Sequence, residues 1–264
     1  MNDIEAAFHQ YFEIVIADTP ELLEIVFNLR FRILCVHNAI PGFNAANYLN
    51  EQESDEYDNR SIQLLLRHRP SETFIGTARL VLPNMQNPEN KFPVEAYSQF
   101  FSGFTLSAAS RQHTAEISRF LILNDFFRRK SEQGMLPVAT NIKENTVQER
   151  RRFPHPMLGL AIGIIRLCHQ HKIYHWLSAM NPTLNRLLGF YSMQLHPVGP
   201  LIYHHGFRSP YYVCLFEVLD RMHRNHREIW ELATDYGKIW PAELSAQHKS
   251  ELQPAHPDNA YASR

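Results

Sequence analysis

Cysteine is scarce. Only Cys35, Cys168 and Cys214 occur in 264 residues, each among apolar neighbours. An odd number of thiols suits reduced side chains in a cytosol better than a disulfide framework. Excess charge is missing too. The formal net charge is −1, so no overall field draws the chain to nucleic acid or an anionic membrane, and any steering must be local. No apolar run approaches membrane-spanning length. The start, Met1-Asn2-Asp3-Ile4-Glu5, is acidic and lacks the basic-then-apolar layout of a signal peptide. These absences predict a cytoplasmic protein with no transmembrane segment and no nucleic-acid partner. Glycine-rich phosphate loops of the Walker or dinucleotide type are absent, as is a Gly-x-Ser-x-Gly elbow.

Histidine is plentiful, but its spacing does not make a metal site. His171 and His175 straddle an expected helix-to-strand junction, and His223 and His226 share a helix face without a third ligand. We therefore expect no metal. Cys35 beside His37 is no better as a nucleophile pair, because near neighbours at a helix end do not face each other.

Apolar and charged fractions are those of an ordinary globular protein, and the length allows one domain with an appendage. In order, the pattern predicts a strand at Tyr11–Ala17 and a helix from Pro20 to about Leu34, capped by Asp18 or Thr19. A loop opens at Pro41-Gly42, and the acidic run Glu51–Asp58 leads into a hairpin of strands 61–67 and 73–82. In that run Glu51, Glu53 and Glu56 are expected in solvent, whereas Asp55 and Asp58 lie closest to the strand. Residues 83–111 form a long aromatic-rich connection with short helical pieces, suited to a lid or tunnel wall. After the strand at 114–122 come an apolar helix at 156–168, a strand at 173–180 and a helix from Asn181-Pro182 to Gly189. A short strand lies within 191–200, a loop at 204–210, a strand at 211–218 and a helix at 219–236. The Ser, His, Pro and Asn of the tail from Pro241 predict disorder.

The stretch Thr114-Ala115-Glu116-Ile117-Ser118-Arg119-Phe120-Leu121-Ile122 holds the chemistry. Strand alternation puts Glu116 and Ser118 on one face and Arg119 on the other. Burying such charges costs several kcal/mol each unless they are paired. Asp55, Asp58, Arg30 and Arg79 are the candidate partners, and Arg79 sits among Ala78, Leu80 and Val81. A salt-bridge network and a reaction site both fit these residues. Between 125 and 152 seven Lys/Arg stand against four Asp/Glu. They form solvated basic clusters or a platform for an anionic phosphopantetheine, CoA or acidic carrier protein.

The order Arg30, Asp55-x-x-Asp58, Gly76-Thr77-Ala78-Arg79-Leu80 and Glu116-x-x-Arg119-Phe120 resembles acyl-homoserine lactone synthases of the LuxI type, relatives of the GNAT N-acyltransferases. Leu29-Arg30-Phe31-Arg32 with Cys35, Ala115–Phe120, Val198-Gly199-Pro200 and His205–Pro210 resemble more closely the PEP-CTERM/exosortase-associated acyltransferases and N-acyl amino acid synthases. The resemblance covers about residues 10–220. It implies an α/β fold of the GNAT-like acyl-CoA N-acyltransferase kind, a mixed sheet with helices on both faces, splayed at its middle for an acyl thioester.

The domain would span residues 1–220, with 221–264 as a C-terminal helix and tail. The donor would be acyl-ACP, through its phosphopantetheine, or acyl-CoA, with no bound cofactor. The acceptor would be a small amine. Glu116, with Ser118 and Arg119, would carry catalysis, Glu116 acting as base. Arg30, Asp55, Asp58 and Arg79 would bind the acceptor. Backbone N–H groups near Phe120, Leu121, Ile122 and Leu123 would polarise the thioester carbonyl, and Arg128, Arg129 and Lys130 would hold the donor's phosphate or carrier. Leu34 and Ile40 stand where the lactone synthases carry aromatic residues, which favours an acceptor other than theirs. The alternatives are homoserine lactone synthesis, a non-catalytic acyl-thioester sensor, and a structural role in an exosortase-linked surface system.

Overall fold

The computed structural model describes residues 3–87, 89–127 and 155–242. Eight strands form a mixed sheet: β1 (Phe12–Ile16), β2 (Ser61–His68), β3 (Thr73–Val81), β4 (Thr114–Ile122), β5 (His175–Met180), β6 (His196–Pro197), β7 (Ile202–Tyr203) and β8 (Phe207–Cys214). The order is β1-β2-β3-β4-β5-β8-β6, with β7 on β8. This is the mixed α/β architecture expected. By contacts the chain divides into two units. One comprises the described parts of Met1–Ser54, Gln63–Arg79 and Arg119–Ile165; the other comprises those of Asp55–Ile62, Leu80–Ser118 and Arg166–Arg264. The chain passes from one to the other within β4, at Ser118–Arg119.

In the first unit β1 pairs antiparallel with β2, from Phe12 opposite His68 to Ile16 opposite Leu64. The Pro20–Phe31 helix starts as its sequence dictates, with Thr19 Oγ1 accepting the Leu22 N–H and Pro20 in the first turn. Its apolar stripe, Val26 and Leu29 continued by Ile33, packs with Ala17, Leu65 and Leu123. A β-carbon on Gly159 of the Pro156–Gln170 helix would lie 2.7 Å from Leu66 Cδ1. Glycine at that position lets the helix close down on β2.

The second unit is built on β5 and β8, antiparallel from His175 opposite Cys214 to Met180 opposite Ser209. Val81, Phe92, Val94 and Leu177 form its core, flanked by Tyr57, Phe100, Phe104, Leu106, Ala179 and Tyr212. The aromatic residues of the 83–111 connection are thus largely packing, and its helical pieces are Pro93–Tyr97 and Ala108–Gln112.

Boundaries differ from expectation at several places. A helix, Asp3–Tyr11, precedes β1. The Pro20 helix continues beyond Phe31 as a π turn, Arg32–His37. β8 begins at Phe207 rather than Tyr211, because positive φ at His205 and Gly206 makes a tight turn in what was expected to be loop. It ends at Cys214, where the Leu215–Asn225 helix starts; that helix breaks at His226 (φ −142°, ψ 60°) before Arg227–Thr234. The tail expected to be disordered lies outside the described residues from 243 on. Among the described residues no helix is long and apolar enough to cross a membrane.

Candidate functional site

Strand β4 carries the candidate residues Glu116, Ser118 and Arg119. It pairs in parallel with β5 for only three positions, from Thr114 opposite His175 to Glu116 opposite Leu177. β5 continues against β8 to Met180, while Ser178 Oγ donates to Ile117 O at 2.8 Å in place of the next ladder bond. Two residues later Arg119 takes φ 48°. A left-handed non-glycine residue inside a strand interrupts alternation and stores about 1–3 kcal/mol.

Arg119 is held there by its side chain. Nε donates to Glu53 Oε2 at 3.1 Å and Nη2 to Oε1 at 2.7 Å, a two-pronged carboxylate bond. Its guanidinium also lies 5.2 Å from the Phe43 ring centre. Glu53 takes a third bond from Arg30 Nε, at 2.5 Å. This corrects the sequence expectation. Glu53, placed in solvent with Glu51 and Glu56, is only 1% exposed and is the carboxylate that pairs Arg30 with Arg119. The signal was available, since buried arginines demand a carboxylate and the acidic run offered five. Which carboxylate turns inward was not legible. Burial pushes the Glu53 carboxyl up, but the Arg119 hydrogen bond and the two positive charges outweigh it and hold it below the usual range. Arg119 is the more exposed of the two arginines, at 19% against 0% for Arg30. Cys35 lies close by; burial and the charge of Glu53 push its thiol up, so it is a poor thiolate nucleophile. Arg79, also in this unit, is buried in β3.

In the second unit Glu116 is buried, and its Oε2 accepts the Val94 N–H at 2.7 Å. That carboxylate therefore anchors the first turn of the Pro93–Tyr97 helix. A second pair fixes the same helix: Arg111 Nη1 and Nη2 donate to Glu95 Oε2 and Oε1, both at 2.7 Å. Burial raises the Glu95 carboxyl, but the Arg111 bonds and the Phe92 N–H lower it by more. Arg60 completes the frame. It donates to Leu82 O and Lys91 O and stacks on Phe92 and Tyr57. Sequence reasoning missed Glu95, Arg111 and Arg60; nothing in their local pattern distinguishes them from surface charges.

Asp55 and Asp58 cap a short 3-10 turn, Glu56–Arg60. Asp55 Oδ1 accepts the Tyr57 N–H at 3.0 Å and Asp58 Oδ2 the Asp55 N–H at 2.8 Å. Both carboxylates are thereby fixed directly before β2. Ser118, Phe120 and Leu121 are half-buried on β4, and Ile122 is buried. The Leu123 N–H, at the end of the stretch expected to polarise a thioester, donates to Ile75 O instead. Arg128, Arg129 and Lys130 lie outside the described residues.

Residues 29–136 match the family model of the acetyltransferase (GNAT) domain, that of an acyltransferase enzyme. No curated protein matches the sequence. Among solved structures, TofI in a ternary complex with an inhibitor and MTA aligns with a TM-score of 0.54 at 15% identity, over 80% of this chain and 96% of that one. BjaI, a CoA-dependent acyl-homoserine lactone synthase solved with SAM and isopentyl-CoA, aligns with a TM-score of 0.50 at 16% identity, over 85% and 88%. At such identities the likeness establishes the fold.

Proposed function

We propose that this chain is an N-acyltransferase that moves a fatty acyl group from acyl carrier protein or CoA to the amine of an amino acid-like acceptor. The observation that carries the proposal is the parting of β4 from β5 directly after Glu116. Residues 1–220 form the catalytic domain on this reading, and the setting is cytoplasmic.

The amine nitrogen attacks the thioester carbonyl, the carbon–sulfur bond breaks, and the thiol leaves with a proton. The attacking nitrogen must shed its protons because an ammonium is not nucleophilic. Glu116, through a water, is the base, with Ser118 beside the reacting groups. Arg119, the more exposed of the two arginines on Glu53, receives the acceptor's carboxylate, backed by Arg30 and Arg79. Asp55 and Asp58 receive its ammonium. The backbone at Phe120–Ile122 meets the thioester carbonyl, and Arg128, Arg129 and Lys130 meet the donor's phosphate or carrier. An amino acid acceptor follows the resemblance to PEP-CTERM/exosortase-associated acyltransferases and N-acyl amino acid synthases.

Mass spectrometry of lipid extracts from bacteria expressing the protein or its Glu116→Gln variant tests this. A new N-acyl amino acid that disappears in the variant is the expected result and identifies the acceptor. An acyl-homoserine lactone would instead establish the second reading, towards which a neighbour solved with SAM and an acyl-CoA points. No product from folded protein supplied with donor and amino acids would overturn the enzyme reading in favour of a thioester sensor.

A further inference from the structure

Among the described residues, five of the twelve exposed large apolar side chains gather around one hairpin. β7 and the start of β8 pair at Ile202–Arg208 and Tyr203–Phe207, closed by His204-His205-Gly206. Leu201, Tyr203 and Phe207 are each more than half exposed. So is Tyr97, whose ring stacks on His204 with centres 4.6 Å apart. Tyr203 and Phe207 meet edge to face at 5.2 Å. Phe101, also exposed, is tied alongside by its N–H bond to Val198 O at 2.8 Å. All these residues belong to one unit.

The two segments that build the patch are poor in charge. Ala96–Ser110 contains no charged residue at all, and Pro197–Phe216 contains no Asp or Glu. The basic side chains of the second segment are His204, His205 and Arg208. Burial, with His205 and Arg208 nearby, pushes His204 down, so its ring is neutral at neutral pH. Arg208 spends its guanidinium on His205 O and Ala179 O at the base of the hairpin.

We propose that the 201–208 hairpin, with Tyr97 and Phe101, docks on the surface of a phospholipid bilayer. Tyrosine and histidine rings with an apolar body and a polar tip settle at the headgroup level, and Phe207 and Leu201 reach into the acyl boundary. Neither segment contributes a carboxylate of its own to oppose anionic headgroups. An acidic protein partner fits less well, because a docking face for one needs several outward cations and this patch has one arginine, turned to backbone carbonyls. The proposal is independent of acyl transfer.

Sedimentation of the full-length protein with vesicles of phosphatidylethanolamine and phosphatidylglycerol tests it. Runs at low salt would be compared with runs at about 0.5 M, where charges are screened within a few ångströms. The wild type is expected to sediment at both salts. The variant carrying Tyr203→Ser and Phe207→Ser should lose about tenfold in partitioning while keeping its thermal midpoint, since both side chains face solvent. The emission of Phe207→Trp should shift to the blue on adding vesicles. Wild-type protein that stays in the supernatant would overturn the proposal. So would sedimentation abolished by salt and unaffected by the double variant, which would mean adsorption through basic clusters elsewhere. Light scattering showing an oligomer that the double variant dissociates, or carrier-protein binding that it abolishes, each without lipid binding, would assign the patch to a protein partner instead.

Discussion

Glu53 takes three charge-assisted hydrogen bonds from two guanidinium groups, and its burial makes each of them expensive to break. Glu53→Gln would put a neutral amide with one acceptor oxygen where two guanidinium groups meet a carboxylate. The expected cost is about 3–5 kcal/mol, the range for breaking a buried pair from one side, read as a lower urea midpoint. The pH dependence has a definite sign. The folded carboxyl lies below its ordinary value of 4.5, so the unfolded chain takes up the proton first as pH falls. The contribution is complete above 4.5 and is lost as pH drops through the lower folded value. Unfolding midpoints should therefore fall more steeply with acid in the wild type than in Glu53→Gln. Glu116→Gln differs in kind. An amide oxygen still accepts the Val94 N–H, so stability should change by less than Glu53→Gln costs. Turnover should fall by about 10²–10⁴, the usual worth of a general base. Loss of both stability and activity to the same degree would make Glu116 an anchor of the 93–97 helix and not the base.

At the scale of elements, β4 explains what the sequence could and could not tell. Its extent, Thr114–Ile122, was legible from apolar alternation, and the helices at Pro20 and Pro182 were legible from caps and prolines whose effects are local. The left-handed turn at Arg119 was not, because it is imposed by a carboxylate 66 residues away. The His226 break was hidden for a similar reason: the periodicity of Leu215–Thr234 runs on while the backbone bends. β4 also rests on glycine next door. A β-carbon at Gly76 would lie 2.9 Å from Leu121 O and 3.3 Å from Ile122 Cγ1. Backbone cannot yield as a side-chain end can, so Gly76→Ala should cost about 1–3 kcal/mol. Because the displaced backbone follows Arg119, acyl transfer should fall more than stability alone explains. Activity per folded molecule, measured below the unfolding transition, checks this; unchanged specific activity would uncouple Gly76 from the site.

At the scale of the molecule, the chain combines an eight-stranded mixed sheet with helices. On the proposed function, an acyl donor binds the folded chain and has nothing to hold in the unfolded one. Acyl-CoA at 100 times its dissociation constant would then add about 2.7 kcal/mol to stability. For a chain of this size that corresponds to a thermal midpoint higher by about 5–10 °C. The acceptor amino acid alone should shift the midpoint less, since it gains a few polar contacts and buries little apolar surface. Running the melt with acyl-CoA, with acyl-ACP and with free CoA separates the parts of the donor. A shift with both thioesters and little with free CoA means that the acyl chain supplies the binding energy. A shift with free CoA as large as with acyl-CoA places recognition on the phosphates. Absence of any shift, with the protein folded and the thioesters intact, would remove the donor from this molecule and with it the proposed reaction.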